Sequence, residues 1–280
     1  MLEQKDANKG VWAYFVLTYV ITLLTWGTMV VFRIPGASAA SAAGPVSPFG
    51  LLLLFLGGFA PSIAGLIMTW RVAGRAGLRD LWKRASQIHF AGKWYLAILA
   101  LPLLALIVRV AVQLARGGTV AESSLLIRPL GLVGFTITII LGGPLSEEFG
   151  WRGFALDRLL NRWSVWAATL ILGMFWVFWH LPLFFIPGTA QESHGNFIAE
   201  FGIFVLWILA LAVLFTWLYI GTGRSLFAAL VFHAAVDWFG SLAGTMITNG
   251  GVIDRLVNSL VFALFAVVVL LVWRTLALKG

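Results

Sequence analysis

The sequence predicts an all-α, polytopic transmembrane helix bundle of about eight spans. Three observations carry this: 61% of the 280 residues are hydrophobic, the apolar residues gather in long runs, and the basic residues gather between those runs. So much apolar surface, with 14 Trp and 22 Phe in it, has no place inside a soluble fold of this size. Crossing about 30 Å of hydrocarbon takes about 20 helical residues. With no water at that depth each run must satisfy its own backbone, which leaves helices.

The runs are Val11 to Phe32, Phe49 to Trp70, Trp94 to Leu114, Leu130 to Leu160, Ser164 to Phe185, Ile203 to Ile220, Ser225 to Phe239 and Val257 to Trp273. The seventh is the shortest. With the N-terminus inside, fourteen of the nineteen Lys and Arg residues fall on the inner side. Only Arg33, Arg116, Arg128 and Arg255 lie opposite, and Arg109 sits within the third span. This bias expects both termini in the cytoplasm. A net charge of +8 spread between apolar runs, rather than clustered on a soluble face, points to the lipid bilayer and away from nucleic acid. The absence of Cys excludes disulfides, thiol catalysis and thiolate metal sites.

No repeat or linker divides the chain, so a single integral-membrane domain over residues 1–280 is expected, with its motif-bearing core at about 130–240. The start resembles a secretory signal, with small residues at Ala37 to Ala43, but its apolar run exceeds the usual length. An uncleaved first span is expected, followed by a flexible loop over Gly36 to Pro48. In the second span Gly57, Gly58, Ala60 and Gly65 permit close helix approach and Pro61 introduces a kink. The basic stretch Gly74 to Lys93, with Trp82 and Trp94, suits an amphipathic segment on anionic headgroups. The loop Ile186 to Gly202, with Glu192, His194 and Glu200, reads as a solvated connection.

Chemistry is concentrated where charge enters this apolar chain. The fourth run, 31 residues, would extend about 46 Å as one helix and overshoot the bilayer; Gly142, Gly143 and Pro144 supply a break. Glu147 and Glu148 follow at once. Ionisable groups at membrane depth cost about 2.5 to 3.5 kcal/mol each and persist where a partner or cavity receives them. Glu148 and Arg152 stand i,i+4 with the acid first, the favourable order for an ion pair. Glu147 has no such local partner, and an unpaired carboxylate in a poorly hydrated place suits general base or acid work.

His180 ends the aromatic segment Trp176-Val177-Phe178-Trp179-His180 deep in the fifth span, and His233 and Asp237 share a helix face at i,i+4 in the seventh. Measured from the expected cytoplasmic helix ends, Glu147 lies about 20 Å deep, His180 about 24 Å and His233 to Asp237 about 14 to 20 Å. A carboxylate and a His can jointly polarise a water while a second polar pair steadies an oxyanion, which together describe peptide hydrolysis. The same Glu147, His180, His233 and Asp237 can instead ligate zinc with one open water position. HExxH spacing is absent, which excludes a zincin helix.

At these residues the chain resembles the CPBP family of intramembrane proteases, also called the ABI or type II CAAX prenyl endopeptidase family. Its EExxxR motif is matched by Glu147, Glu148 and Arg152, continuing with Gly153; its FxxxH by Trp176 and His180, a mild aromatic exchange; its HxxxN or HxxxD by His233 and Asp237. The resemblance covers about Gly134 to Phe239. It implies that Glu147 with His180 activates the water, that His233 with Asp237 supports the tetrahedral intermediate, and that the cavity opens to the cytoplasm. Asp237 stands where the eukaryotic CAAX enzymes have Asn, and donates a hydrogen bond only when protonated. The family implies either a glutamate protease or a metal-dependent one. Short loops and the strong charge bias suit a bacterial inner membrane and a membrane-associated peptide or protein substrate. The alternatives are a non-proteolytic immunity or regulatory protein that binds a bacteriocin or sensor kinase, and a transporter moving protons through Glu147 and Asp237.

Overall fold

In the computed structural model, residues 10–36, 47–123, 129–247 and 249–277 are described. The Ala37 to Ala43 stretch, most of the loop before Pro48, and Lys5, Lys9, Arg128 and Lys279 of the charge bias lie outside them. All regular structure among the described residues is helical. The helices are α1 (Val11–Phe32), α2 (Pro48–Gly58), α3 (Ala60–Ala85), α4 (Gly92–Ala115), α5 (Pro129–Gly142), α6 (Pro144–Gly150), α7 (Asp157–Leu160), α8 (Val165–Trp179), α9 (Phe197–Gly221), α10 (Leu226–Met246) and α11 (Gly251–Ala277). A π-helical turn (Trp151–Leu156) joins α6 to α7, and a 3₁₀ turn (Leu181–Phe185) follows α8. Seven helical stretches are long and apolar enough to cross a membrane, or eight with the bent pair α2 and α3 counted as one span. This is a multi-pass membrane protein.

Local chemistry sets the helix starts. Ser47, Ser164 and Ser225 cap α2, α8 and α10 by accepting from the backbone N–H of Gly50, Ala167 and Ala228 at 3.0, 3.3 and 3.1 Å. Pro48 occupies the first turn of α2, where its missing N–H costs nothing. Within α1, the hydroxyls of Thr18 and Thr22 donate back to the carbonyls of Tyr14 and Thr18, which satisfies them without water. Leu23, Leu24 and Val31 on α1, and Leu264 and Leu271 on α11, are exposed, as side chains facing acyl chains must be.

Several spans differ from the sequence reading. The second carries the expected kink, but as a 50° bend between α2 and α3 beside Phe59, two residues before Pro61. The seventh extends to Met246 as α10, and the eighth begins six residues earlier than Val257, at Gly251. The sixth starts at Phe197, so the end of the expected loop is helical and Glu200 is buried rather than solvated. In the basic stretch, α3 continues past Gly74, whose backbone is non-helical with φ at +57°. Its Leu81 is fully buried and Trp82 packs on Phe149 at 5.1 Å, so this face does not lie wholly against headgroups.

The chain folds as two compact units: Met1–Lys83 with Leu145–Gly202, and Arg84–Pro144 with Ile203–Gly280. In the first, α3 and α6 touch backbone to backbone. A Cβ on Gly65 would meet Gly150 Cα at 2.7 Å and Phe149 O at 2.9 Å, which is why a small residue stands there. Tyr14 and Phe15 of α1 pack on Trp151 and Phe154 of the π turn. In the second unit, α4 packs against α10 and α11. Arg109 of α4 binds Asp254 of α11 through two contacts of 2.8 and 2.5 Å and donates to the Gly240 carbonyl of α10 at 3.2 Å.

Candidate active site

The first unit holds the EExxxR and FxxxH residues. Pro144 restarts the helix after the Gly142–Gly143 break, as the sequence implies, and puts Glu147 in the first turn of α6. Glu147 and Glu148 are both buried. Successive helical residues point about 100° apart, so the two carboxylates take different partners. Glu148 Oε1 accepts from Arg152 Nη1 at 2.8 Å, with both side chains withdrawn from solvent. The Arg152 guanidinium also lies over the Trp176 ring, 4.4 Å from its centroid.

Glu147 is not without a local partner, contrary to the sequence reading. Its Oε2 accepts from the indole N–H of Trp151, four residues on, at 3.1 Å, and from that of Trp176 on α8 at 2.6 Å. A buried indole needs an acceptor for its one N–H, and a carboxylate is the strongest nearby. Trp176 in the Phe position thus brings a donor that Phe lacks. The turn carrying Trp151 and Arg152 is π-helical, a distortion common at functional sites and invisible to a 3.6-residue pattern.

His180 is the C-cap of α8, where Pro182 ends the helix and the 3₁₀ turn begins. Its Nδ1 lies 2.8 Å from the Trp176 carbonyl oxygen. A carbonyl only accepts, so Nδ1 carries the hydrogen, and in the neutral ring Nε2 presents a lone pair. The Trp179 ring meets the imidazole edge to face at 4.5 Å and donates its N–H to Thr22 Oγ1 of α1 at 2.7 Å. Trp26 packs on Trp179 from the same helix.

The second unit holds the HxxxD residues. His233 Nε2 and Asp237 Oδ2 are 3.4 Å apart on one face of α10, as their spacing predicts. His233 is buried against Phe215, and Asp237 is partly open. Gly143 packs directly on this pair: a Cβ there would collide with Asp237 Oδ2 and press His233 Nε2. The glycine that breaks the fourth span thus also makes room for the third motif.

Each unit contributes two side chains of the zinc set, Glu147 with His180 and His233 with Asp237. Catalytic zinc takes three protein donors. Among the described residues no group of three or more His, Asp or Glu side chains is placed to hold a metal ion. Glu147 Oε2 and His233 Nε2 already face protein partners.

Residues 129–239 match the family model described as type II CAAX prenyl endopeptidase Rce1-like. All three motifs fall inside that match. The chain resembles that family. It is also 25% identical over 232 residues to CAAX prenyl protease 2 of Methanococcus maripaludis, covering 80% of this chain and 81% of the relative. The Rce1-like segment begins at α5 and ends within α10, while the relative extends the likeness well beyond it.

Proposed function

We propose that this protein is an intramembrane endopeptidase that hydrolyses a peptide bond of a membrane-associated peptide or protein with a water activated by Glu147 and His180. The observation that carries this reading is Trp176. It binds Glu147 through its indole N–H and His180 through its carbonyl, so one residue fixes both groups. Glu147, accepting from two indoles, and His180, presenting Nε2, are both acceptors for one water. Such a water attacks the scissile carbonyl as Glu147 takes its proton, and Glu147 then passes the proton to the leaving amine. His233 with Asp237 supports the tetrahedral intermediate when one of the two carries a proton directed at the oxyanion rather than at its partner. No step is routed through a metal.

The excess of Lys and Arg on one side supports cytoplasmic termini, and substrate entry from that side of a cell membrane belongs to the same reading. The family description and the relative's name point to a CAAX-type substrate near its lipid anchor.

The test is cleavage of an internally quenched prenylated CAAX peptide by the purified chain in nanodiscs. Glu147→Gln and His180→Ala should each lower turnover by at least about a hundredfold, the lower end for losing a general base. Turnover should survive 1,10-phenanthroline. Full turnover in both variants would refute the assignment, and loss on chelation would refute the metal-free route. A binder of a bacteriocin or sensor kinase would keep its cellular phenotype in both variants.

A further inference from the structure

We infer that Trp176 is a positioning residue for Glu147, its indole N–H holding one carboxylate oxygen in register with the helix that ends at His180. The inference rests on the endopeptidase reading and deepens it.

Three contacts converge on this one residue. Its N–H reaches Glu147 Oε2 at 2.6 Å, shorter than the 3.1 Å bond from Trp151 to the same oxygen. Its ring faces the Arg152 guanidinium, and that guanidinium pairs with Glu148. Its carbonyl receives His180 Nδ1. Trp151 lies on the same stretch as Glu147, so its bond moves with the carboxylate and cannot hold it relative to α8. The Trp176 bond spans 29 residues of sequence and joins the acid on α6 to the helix that ends in His180. Indole is rigid, with two side-chain torsions, and Trp176 is buried on both faces. A charge-assisted bond from such a donor fixes one carboxylate oxygen and thereby aims the other.

The terminal torsion of Glu is broad, and a bond from a neighbouring helix narrows it. Trp176→Phe keeps the aromatic body that covers Arg152 and the backbone that holds His180, and removes only the donor. It should leave folding intact and cut kcat with little change in KM. Loss of one hydrogen bond to a charged group corresponds to about ten- to a hundredfold.

The experiment uses the full chain in nanodiscs with ¹⁵N-labelled Trp and the prenylated CAAX peptide. The indole N–H resonance of Trp176, identified by its absence in Trp176→Phe, should sit downfield among the fourteen Trp signals. It should move upfield in Glu147→Gln. Turnover of Trp176→Phe should fall ten- to a hundredfold at near-constant KM, and Trp176→Phe with Glu147→Gln should be no slower than Glu147→Gln alone. An indole signal indifferent to Glu147→Gln, or full kcat in Trp176→Phe while Glu147→Gln is inactive, overturns the positioning role and leaves the endopeptidase reading standing. Full kcat in Glu147→Gln with a shifted indole signal sinks the general-base assignment of Glu147 instead.

Discussion

Replacing Arg152 by Ala should damage this protein more through its fold than through its chemistry. Arg152 and Glu148 are 1% and 0% exposed, and their 2.8 Å contact is the pairing that makes burial of both charges tolerable. Removing one partner of such a pair costs about 3 to 5 kcal/mol, because the other charge stays buried without compensation. Losing the guanidinium over the Trp176 ring adds about 0.5 to 2 kcal/mol. Arg152→Ala should therefore lose about 3.5 to 7 kcal/mol of stability, much of what holds a domain folded. Glu148→Gln in the same chain should return at least about 2 kcal/mol, since it removes the stranded charge. Unfolding by detergent titration in mixed micelles, followed by tryptophan fluorescence, measures both. Arg152→Ala within about 1 kcal/mol of the parent, or a double variant no more stable than the single one, would show that the pair does not carry this burden.

The remaining predictions concern the second unit. If His233 and Asp237 act as proposed, Gly143→Ala should lower turnover by about a hundredfold, the cost of moving such a group near 1 Å, while shifting stability by less than about 1 kcal/mol. The atoms in its way are the free ends of the Asp237 and His233 side chains, which yield more cheaply than backbone. Peptide cleavage and micellar unfolding on one preparation check both halves. Arg109→Met should cost about 3 to 5 kcal/mol by stranding Asp254, and Asp254→Leu added to it should restore most of that loss in the same titration.

What sequence made legible was what is local. Glu148 with Arg152 and His233 with Asp237 meet because i,i+4 spacing alone places them on one face, and the Gly142 to Pro144 break follows from residue types that cannot continue a helix smoothly. Span existence was legible from hydropathy, but the ends were not. The tail of α10 beyond Phe239 reads Gly-Ser-Leu-Ala-Gly-Thr, weakly apolar, and is held as helix by neighbours: Arg109 on the Gly240 carbonyl and Ser123 on Thr245. Glu200 looked solvated because nothing nearby in sequence shows the burial supplied by tertiary packing. The indole donors on Glu147 were missed because one bridges 29 residues and both belong to a side chain that counts as apolar in any pattern. The usable signal was the polar tip of Trp, which demands an acceptor wherever the ring is buried.

The buried guanidinium of α4 waits a long time for its counter-charge. Asp254 emerges from the ribosome 145 residues after Arg109, which at about 5 to 20 residues per second is a delay of about 7 to 30 s. Until then the third span sits in the translocation machinery or the young bilayer with a lone positive charge that only its own snorkelling or lipid phosphates can accommodate. The pair cannot form before α11 is made, and chains truncated before Gly251 should be substrates for membrane quality control.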